Sequence, residues 1–133
     1  MNIEPIAYYR GLLPEKFGIP RQAGLVPSLW GQIIFEPAYR SEVAVRGLEG
    51  FEYIWLIWGF SAEGQVAADK TAFQATVRPP RLGGNERIGV FASRSPFRPN
   101  GLGLSSVKLE SVELEGGPVL HVSGADLMDG TPI

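Results

Sequence analysis

The chain has 133 residues and a formal net charge of −2, with 17 glycines, 11 prolines and no cysteine. So many turn-forming residues exclude a helical bundle and favour a β-rich fold, which we expect to form one domain over residues 1–133. The absence of cysteine excludes disulfides, thiolate nucleophiles and cysteine-ligated metals. A single histidine also excludes metal sites built from two or three histidines of one chain, so no metal is expected.

The first half of the chain contains two strand-like segments and one short helical pattern. Residues 30–35 and 51–60 are rich in β-branched and aromatic residues and are bounded by glycine or proline, which predicts strands. The second segment lacks polar alternation after Glu52, which predicts a central strand covered on both faces. Ser41 is placed to cap a short helix over residues 42–48.

The second half alternates more regularly. Residues 88–92 predict a further short strand. Residues 107–115 alternate apolar and polar side chains in two halves that are out of phase, so a β-bulge is predicted near Glu110–Ser111. The glycine pair 116–117 predicts a tight turn into a strand over 119–122. Together these elements predict a mainly β fold, a small antiparallel β-barrel with long functional loops and little helix.

No targeting or membrane segment is recognisable in the sequence. The first residues lack the basic and apolar regions of a signal peptide. The longest apolar run, residues 53–60, is far shorter than the ~20 residues that cross a bilayer. We therefore expect a soluble, cytoplasmic protein without a membrane partner.

Arginine is concentrated in one segment. Five of the nine arginines lie within residues 78–98, where the only acid is Glu86, so this segment carries +4 and the remainder −6. The planar guanidinium suits carboxylates and phosphates, which predicts a surface for a carboxylate or a nucleic-acid backbone. The alternative is that these arginines pair with the strand residues Glu110, Glu113 and Glu115.

The segment 94–105 is a rigid loop that contains two prolines and two glycines. Gly101 and Gly103 are a weak match to a dinucleotide fingerprint, because a strand pattern follows them and the third glycine is missing. The evidence for a Ser-His-Asp hydrolase is also weak, because His121 alternates with apolar neighbours. We interpret His121 as a surface or half-buried strand residue. Near the end of the sequence, Asp129 and the glycine that follows it predict a turn. The alternative is that the carboxylates of Asp126 and Asp129 hold a ribose or an amino group.

Five motifs, in this order, together resemble the TrmO-type (TsaA-like, YaeB) tRNA methyltransferases: Pro20-Arg21-Gln22, 44–51, 76–85, 94–103 and 126–132. The resemblance extends from about residue 15 to the end of the sequence. It implies a small β-barrel that works as a homodimer and uses S-adenosylmethionine (SAM). The implied reaction methylates the exocyclic nitrogen of threonylcarbamoyladenosine beside the anticodon of a tRNA.

The resemblance also implies site residues. SAM contacts fall on Pro20, Arg21, Gln22, Ser61, Ala62, Arg94, Leu104, Asp129, Gly130, Thr131 and Pro132. The tRNA anticodon loop is expected to meet Arg78, Arg81, Arg98 and Asn100. The proton acceptor stays open between Asp126 and Asp129.

Two departures from the family pattern support a second hypothesis. Ser61 stands where many relatives have histidine, and the family's continuation beyond the Gly-Thr-Pro turn is absent from this sequence. The alternative to an enzyme is therefore a non-catalytic SAM- or nucleotide-binding module of the same fold.

Overall fold

The computed structural model describes residues 1–11, 30–60 and 73–133, without the side chain of Arg81. The strands in this part of the chain are β1 (Ala7–Gly11), β2 (Trp30–Phe35), β3 (Tyr53–Gly59), β4 (Thr76–Val77), β5 (Ile88–Gly89), β6 (Leu102–Glu113) and β7 (Val119–Ser123). Helix occurs among these residues only as 3-10 helices, at Pro37–Tyr39, Leu48–Gly50, Pro80–Leu82, Val90–Ala92 and Pro99–Gly101. No helix within the described ranges is long and apolar enough to cross a membrane.

Five strands form one antiparallel sheet in the order β1-β2-β7-β6-β3, and β4 pairs with β5 in a separate ribbon. The C-terminal segment is bonded to both edges of the larger sheet. The Tyr9 amide donates to the Thr131 carbonyl at 2.9 Å on β1, and the Gly59 amide donates to the Pro132 carbonyl at 3.0 Å on β3. The sheet is therefore curled into a half-barrel, which confirms the predicted antiparallel β fold with little helix.

The interior of the half-barrel is filled by the inward residues of these strands. Its members include Ile33, Leu56, Val107, Leu109, Leu120 and Val122. Two aromatic rings lie directly on the backbone of facing strands. A Cβ atom at Gly103 would overlap the Trp58 ring, and one at Gly31 would overlap the Tyr9 ring. These two glycines are therefore required for the close approach of β6 to Trp58 and of β2 to Tyr9.

The predicted bulge and hairpin are confirmed. Lys108 and Leu109 pair with consecutive residues of β7, but the register then shifts to Ser111, so Glu110 is the extra residue. The bulge keeps the apolar residues on both sides of it pointing inward. Gly116 and Gly117 have φ angles of 78° and 99°, which non-glycine residues rarely adopt, and they form the turn before β7.

The prediction that residues 51–60 form a central strand covered on both faces is wrong. β3 lies at the edge of the sheet, and its side chains alternate between exposed and buried. Trp55, at 71% exposed, lies on the outer face with Tyr53 and Ile57. The continuous apolar run therefore reflects an uncovered apolar face rather than two covered faces.

Two other predicted elements differ from the structure. Residues 42–47 form consecutive turns instead of an α-helix and Leu48 begins a 3-10 helix, because Val45 is the one buried residue of the segment and Gly47 is left-handed at φ 86°. The apolar stripe that stabilises a helix is therefore missing. The predicted strand 88–92 pairs only at Ile88–Gly89, and the chain then turns into a 3-10 helix.

Candidate functional site

The guanidinium of Arg94 forms an ion pair with a buried carboxylate. Arg94 Nη2 donates to Asp126 Oδ2 at 2.8 Å, and the Asp126 side chain is only 3% exposed. Ser105 Oγ donates to the other carboxylate oxygen, Asp126 Oδ1, at 2.7 Å. Both oxygens of the buried carboxylate therefore have donors, which compensates for the loss of hydration.

Ser105 connects this pair to the core. Its hydroxyl accepts from Trp58 Nε1 at 2.9 Å and from Arg94 Nη2 at 3.3 Å while it donates to Asp126. A hydroxyl has one donor and two acceptor sites, so all three are used. The Leu104 carbonyl accepts from Arg94 Nη1 at 3.2 Å. Arg94 is thus held in one orientation by a hydroxyl, a carboxylate and a carbonyl, and Trp58 fixes the hydroxyl.

The guanidinium of Arg94 also has N–H groups that its described partners do not use. It carries five N–H groups. The contacts above use three of them, and two have no partner among the described residues. The Arg94 side chain is 44% exposed. Arg94 is therefore a partly exposed guanidinium with N–H donors available, and the buried carboxylate of Asp126 neutralises much of its charge.

The loop that carries Arg94 is organised by its own hydrogen bonds. Ser93 Oγ donates to the Val90 carbonyl at 2.7 Å and accepts from the Ser95 amide at 3.2 Å. Arg98 Nε donates to the Ser95 carbonyl at 3.2 Å, and its Nη2 donates to the carbonyls of Val90 and Ser93. Arg98, a predicted tRNA contact, therefore uses three of its five N–H groups on the loop that supports Arg94.

The turn at residues 129–132 packs against β1. The Gly11 amide donates to Asp129 Oδ1 at 3.1 Å, and the Gly130 amide donates to the Tyr9 carbonyl at 2.7 Å. Gly130 has a φ angle of 84°, and both it and Asp129 are exposed, whereas Thr131 is buried. The exposed edge of this turn therefore offers a carboxylate and a backbone that a ligand can approach closely.

Tyr9 lies between the two acidic residues of this region. Burial raises the pKa of the Tyr9 phenol, and the negative charges of Asp126 and Asp129 raise it further. The phenol therefore stays protonated at neutral pH.

Asp129 and Gly130 also line a cleft of about 260 Å³ beside β1 and β2, which includes Tyr8, Arg10, Phe35 and Arg40.

The structure brings only some of the predicted cofactor residues together. The Arg94 side chain meets the backbone of Leu104, whose own side chain lies on the outer face of β6, opposite to Ser105. Asp129, Gly130, Thr131 and Pro132 form a second group along β1. Five further predicted residues lie outside the described residues: Pro20, Arg21, Gln22, Ser61 and Ala62.

The predicted tRNA contacts are spread along the arginine segment. Arg78 is exposed directly after β4, and Asn100 is exposed with a φ angle of 70° in the last 3-10 helix. Arg81 lies in the 3-10 helix Pro80–Leu82, and its side chain is not described. The structure thus places these residues on exposed loops, and Arg98 inside its own loop.

The alternative pairing of the arginines with strand glutamates is not what the structure shows. Glu110 accepts from Ser123 Oγ at 2.6 Å and lies 4.0 Å from Lys108 Nζ. Glu113 is 2.8 Å from His121 Nε2. Within the described part of the chain, no arginine forms an ion pair with Glu110, Glu113 or Glu115. The half-buried strand position predicted for His121 is confirmed.

Sequence reasoning missed the residues that hold Arg94. The sequence suggests Asp126 as a ribose or amino-group ligand or as a base, yet it is buried and paired with Arg94, 32 positions away in the chain. The alternation of β6 indicates the importance of Ser105, because it places this residue at an inward position where a polar side chain needs a partner.

Comparisons with known proteins agree with this architecture. The family described as tRNA-methyltransferase O N-terminal domain matches residues 8–133. The Escherichia coli K12 protein named tRNA (adenine(37)-N6)-methyltransferase is 44% identical over 99% of this chain and 54% of that protein. A crystal structure of TrmO from Pseudomonas aeruginosa has a TM-score of 0.72 and 35% identity, covering 99% of this chain and 52% of that one.

A further relative is similar in length to this chain. The protein from Methanothermobacter thermautotrophicus named "Probable S-adenosyl-L-methionine-binding protein" is 34% identical over the whole chain and 85% of that protein. By contrast, the chain spans about half the length of the Escherichia coli and Pseudomonas aeruginosa proteins.

Proposed function

Because the chain belongs to the family of tRNA-methyltransferase O N-terminal domains, we propose that it binds SAM and methylates tRNA. The proposed acceptor is the exocyclic nitrogen of threonylcarbamoyladenosine beside the anticodon. The name of the Escherichia coli relative specifies N6 of adenine 37 in a tRNA and supports the methylated atom. The threonylcarbamoyl group follows from the family resemblance.

The observation that carries the proposal is the held guanidinium of Arg94. Two of its N–H groups have no partner among the described residues, and its plane is fixed by Asp126, Ser105 and the Leu104 carbonyl. SAM has a carboxylate, which accepts hydrogen bonds from such a fork. The exposed carboxylate of Asp129 suits a ribose hydroxyl or an amino group of the cofactor. The chemistry of these groups therefore fits SAM.

The bound cofactor supplies a methyl group on a sulfonium, and the chain supplies alignment. Holding two reactants in line removes much of the entropic cost of a bimolecular transfer. The acceptor nitrogen also loses a proton, so a nearby base is needed. Asp126 is unsuited to this role because it is buried and both of its oxygens accept hydrogen bonds. Asp129 is exposed, but its carboxylate is proposed to hold the cofactor, so neither aspartate is assigned as the base.

We further propose that the chain acts in the cytoplasm as a homodimer. The outer face of β3 supports the dimer, because Tyr53, Trp55 and Ile57 leave an apolar strip uncovered. Leu104 extends this strip on the neighbouring strand. Contiguous exposed apolar surface of this kind is typical of interfaces. A charge placed there, Trp55→Glu, should give monomers in light scattering. The same charge at Ser111, an exposed residue of β6 outside the strip, should leave the dimer intact.

The second candidate is a SAM-binding module without catalysis. It is favoured by the relative from Methanothermobacter thermautotrophicus, which is named for SAM binding alone and is covered over 85% of its length.

Two measurements separate the candidates. Calorimetry with SAM tests the shared cofactor site, and transfer of a labelled methyl group to tRNA with threonylcarbamoyladenosine tests the enzyme. We expect binding and transfer, with no transfer to the same tRNA lacking the threonylcarbamoyl group. Binding without transfer to either tRNA would support the module, and failure to bind SAM would contradict both candidates.

A further inference from the structure

The two-stranded ribbon of β4 and β5 is flanked by a pair of exposed aromatic residues. Phe73 and Phe91 stack with their ring centroids 6.3 Å apart and their planes 23° from parallel. Phe91 is 76% exposed and Phe73 is 43% exposed. An isolated pair of short strands is marginally stable in water. Val77 and Ile88, which pair across this ribbon, are half-buried, whereas the rings of Phe73 and Phe91 remain exposed.

The opposite end of the same ribbon is basic. Thr76 pairs with Gly89 and Val77 with Ile88, so Arg78 and Arg87 follow at the next register position. Arg87 Nη1 donates to Thr76 Oγ1 at 2.9 Å, which directs its guanidinium along the ribbon. Arg78 is exposed and has no ion-pair partner among the described residues. Phe73 and Arg78 are five residues apart in the chain, so they lie at most about 16 Å from each other along the ribbon.

The ribbon is anchored next to the Arg94 loop. The Gln74 amide donates to the Phe97 carbonyl at 3.0 Å, and the Val90 amide donates to the Ala75 carbonyl at 2.9 Å. A polymer bound along the ribbon would therefore lie beside the loop that carries Arg94.

We propose that this ribbon is a stacking platform for unpaired bases of an RNA loop, with Phe91 and Phe73 under the bases and Arg78 and Arg87 on the phosphates. Aromatic faces accept any base, and arginines neutralise the backbone, which is the combination that single strands require. A second copy of the chain is disfavoured here, because two segments of +4 would repel each other. The inference rests on the proposed function, since it deepens the recognition of tRNA.

The experiment measures the affinity of an anticodon stem-loop RNA by fluorescence anisotropy at several salt concentrations. Phe91→Leu keeps an apolar side chain but removes the ring. It should weaken binding about tenfold, the effect of losing one base–aromatic stack, without changing the salt dependence. Arg78→Gln should weaken binding and lower the slope of log affinity against log salt by about 0.7. Both variants should leave SAM affinity unchanged.

The matched control is Phe51→Leu, which removes another exposed ring far from the ribbon in the sequence. It should leave RNA affinity unchanged. A duplex of the stem alone should bind the wild type and Phe91→Leu equally, because its bases are already stacked. The inference is overturned if Phe91→Leu binds the stem-loop as tightly as the wild type. It is also overturned if Phe91→Leu weakens the duplex as much as the stem-loop, or if its main effect is to dissociate a dimer.

Failure of this inference and failure of the proposed function give different results. Methylation of tRNA by the wild type, with KM for tRNA unchanged in Phe91→Leu, would overturn the platform and leave the function standing. Binding of the stem-loop that depends on Phe91, in a chain that binds no SAM, would support the platform and contradict the function.

Discussion

Replacing Arg94 by methionine should destabilise the fold, because Asp126 is left buried without its cationic partner. The Asp126 side chain is 3% exposed and would retain only the hydrogen bond from Ser105. Breaking a buried ion pair from one side typically costs ~3–5 kcal/mol. Arg94 itself is 44% exposed, and water screens the pair from that side. We therefore expect the free energy of unfolding to fall by about 2–3 kcal/mol.

Two further variants separate stability from cofactor binding. Arg94→Lys keeps a positive charge beside Asp126 and should cost less than about 1.5 kcal/mol, although it loses the planar fork. Its SAM affinity should nevertheless fall, because the oriented N–H donors are gone. Adding Asp126→Asn to Arg94→Met removes the orphaned charge and should recover at least about 1 kcal/mol.

Urea unfolding measures the stability of all these variants, and calorimetry measures SAM affinity on the same samples. The reasoning is refuted if Arg94→Met is as stable as the wild type, or if the double variant is as unstable as the sum of the two single ones. An unchanged SAM affinity in Arg94→Lys would contradict the role of Arg94 in holding the cofactor.

Three other changes test the surrounding structure. Burial raises the pKa of Tyr9, so as pH rises above about 10 this phenol ionises in the unfolded chain before it does in the folded one, and the fold loses stability. Tyr9→Phe should reduce this loss, measured as urea midpoints between about pH 9 and 11. Gly103→Ala forces a methyl group into the Trp58 ring and should cost about 1–3 kcal/mol of unfolding free energy, whereas Gly50→Ala, which meets nothing, should stay within about 0.5 kcal/mol. Arg98→Lys has its donors on one nitrogen and cannot reproduce the bonds made from both Nε and Nη2, so amide exchange in its loop should accelerate about tenfold while Gly50→Ala leaves it unchanged.

The parts of the fold that sequence predicts well are those where local alternation is decisive. The bulge at Glu110 follows from two out-of-phase halves of one strand, and the glycine pair that follows fixes the turn. The edge position of β3 could not be read in this way. An apolar run looks the same whether a second layer of protein or an uncovered surface lies against it. Whether an outer face is covered depends on partners that the strand's own sequence does not encode.

The functional site likewise contains residues that local sequence predicts and partners that it does not. Resemblance to a family identifies Arg94 from a local motif, but its partner Asp126 is 32 residues away and joined to it only by the curling of the sheet. The role of Ser105 likewise depends on Trp58, which reaches it across paired strands. Such contacts are set by register and closure, so a single sequence indicates the residue types without showing which of them meet.

The net charge of the arginine segment overstates what it can offer to RNA. Arg94 is neutralised by Asp126, and Arg98 donates to carbonyls of its own loop. Arg78 and Arg87 remain exposed at the end of the ribbon. With about two to three phosphate contacts on a single strand, log affinity should fall against log salt with a slope of roughly −1.4 to −2.1. A slope near −3.5, which corresponds to about five contacts, would show that Arg94 and Arg98 also contact phosphates and would contradict this count.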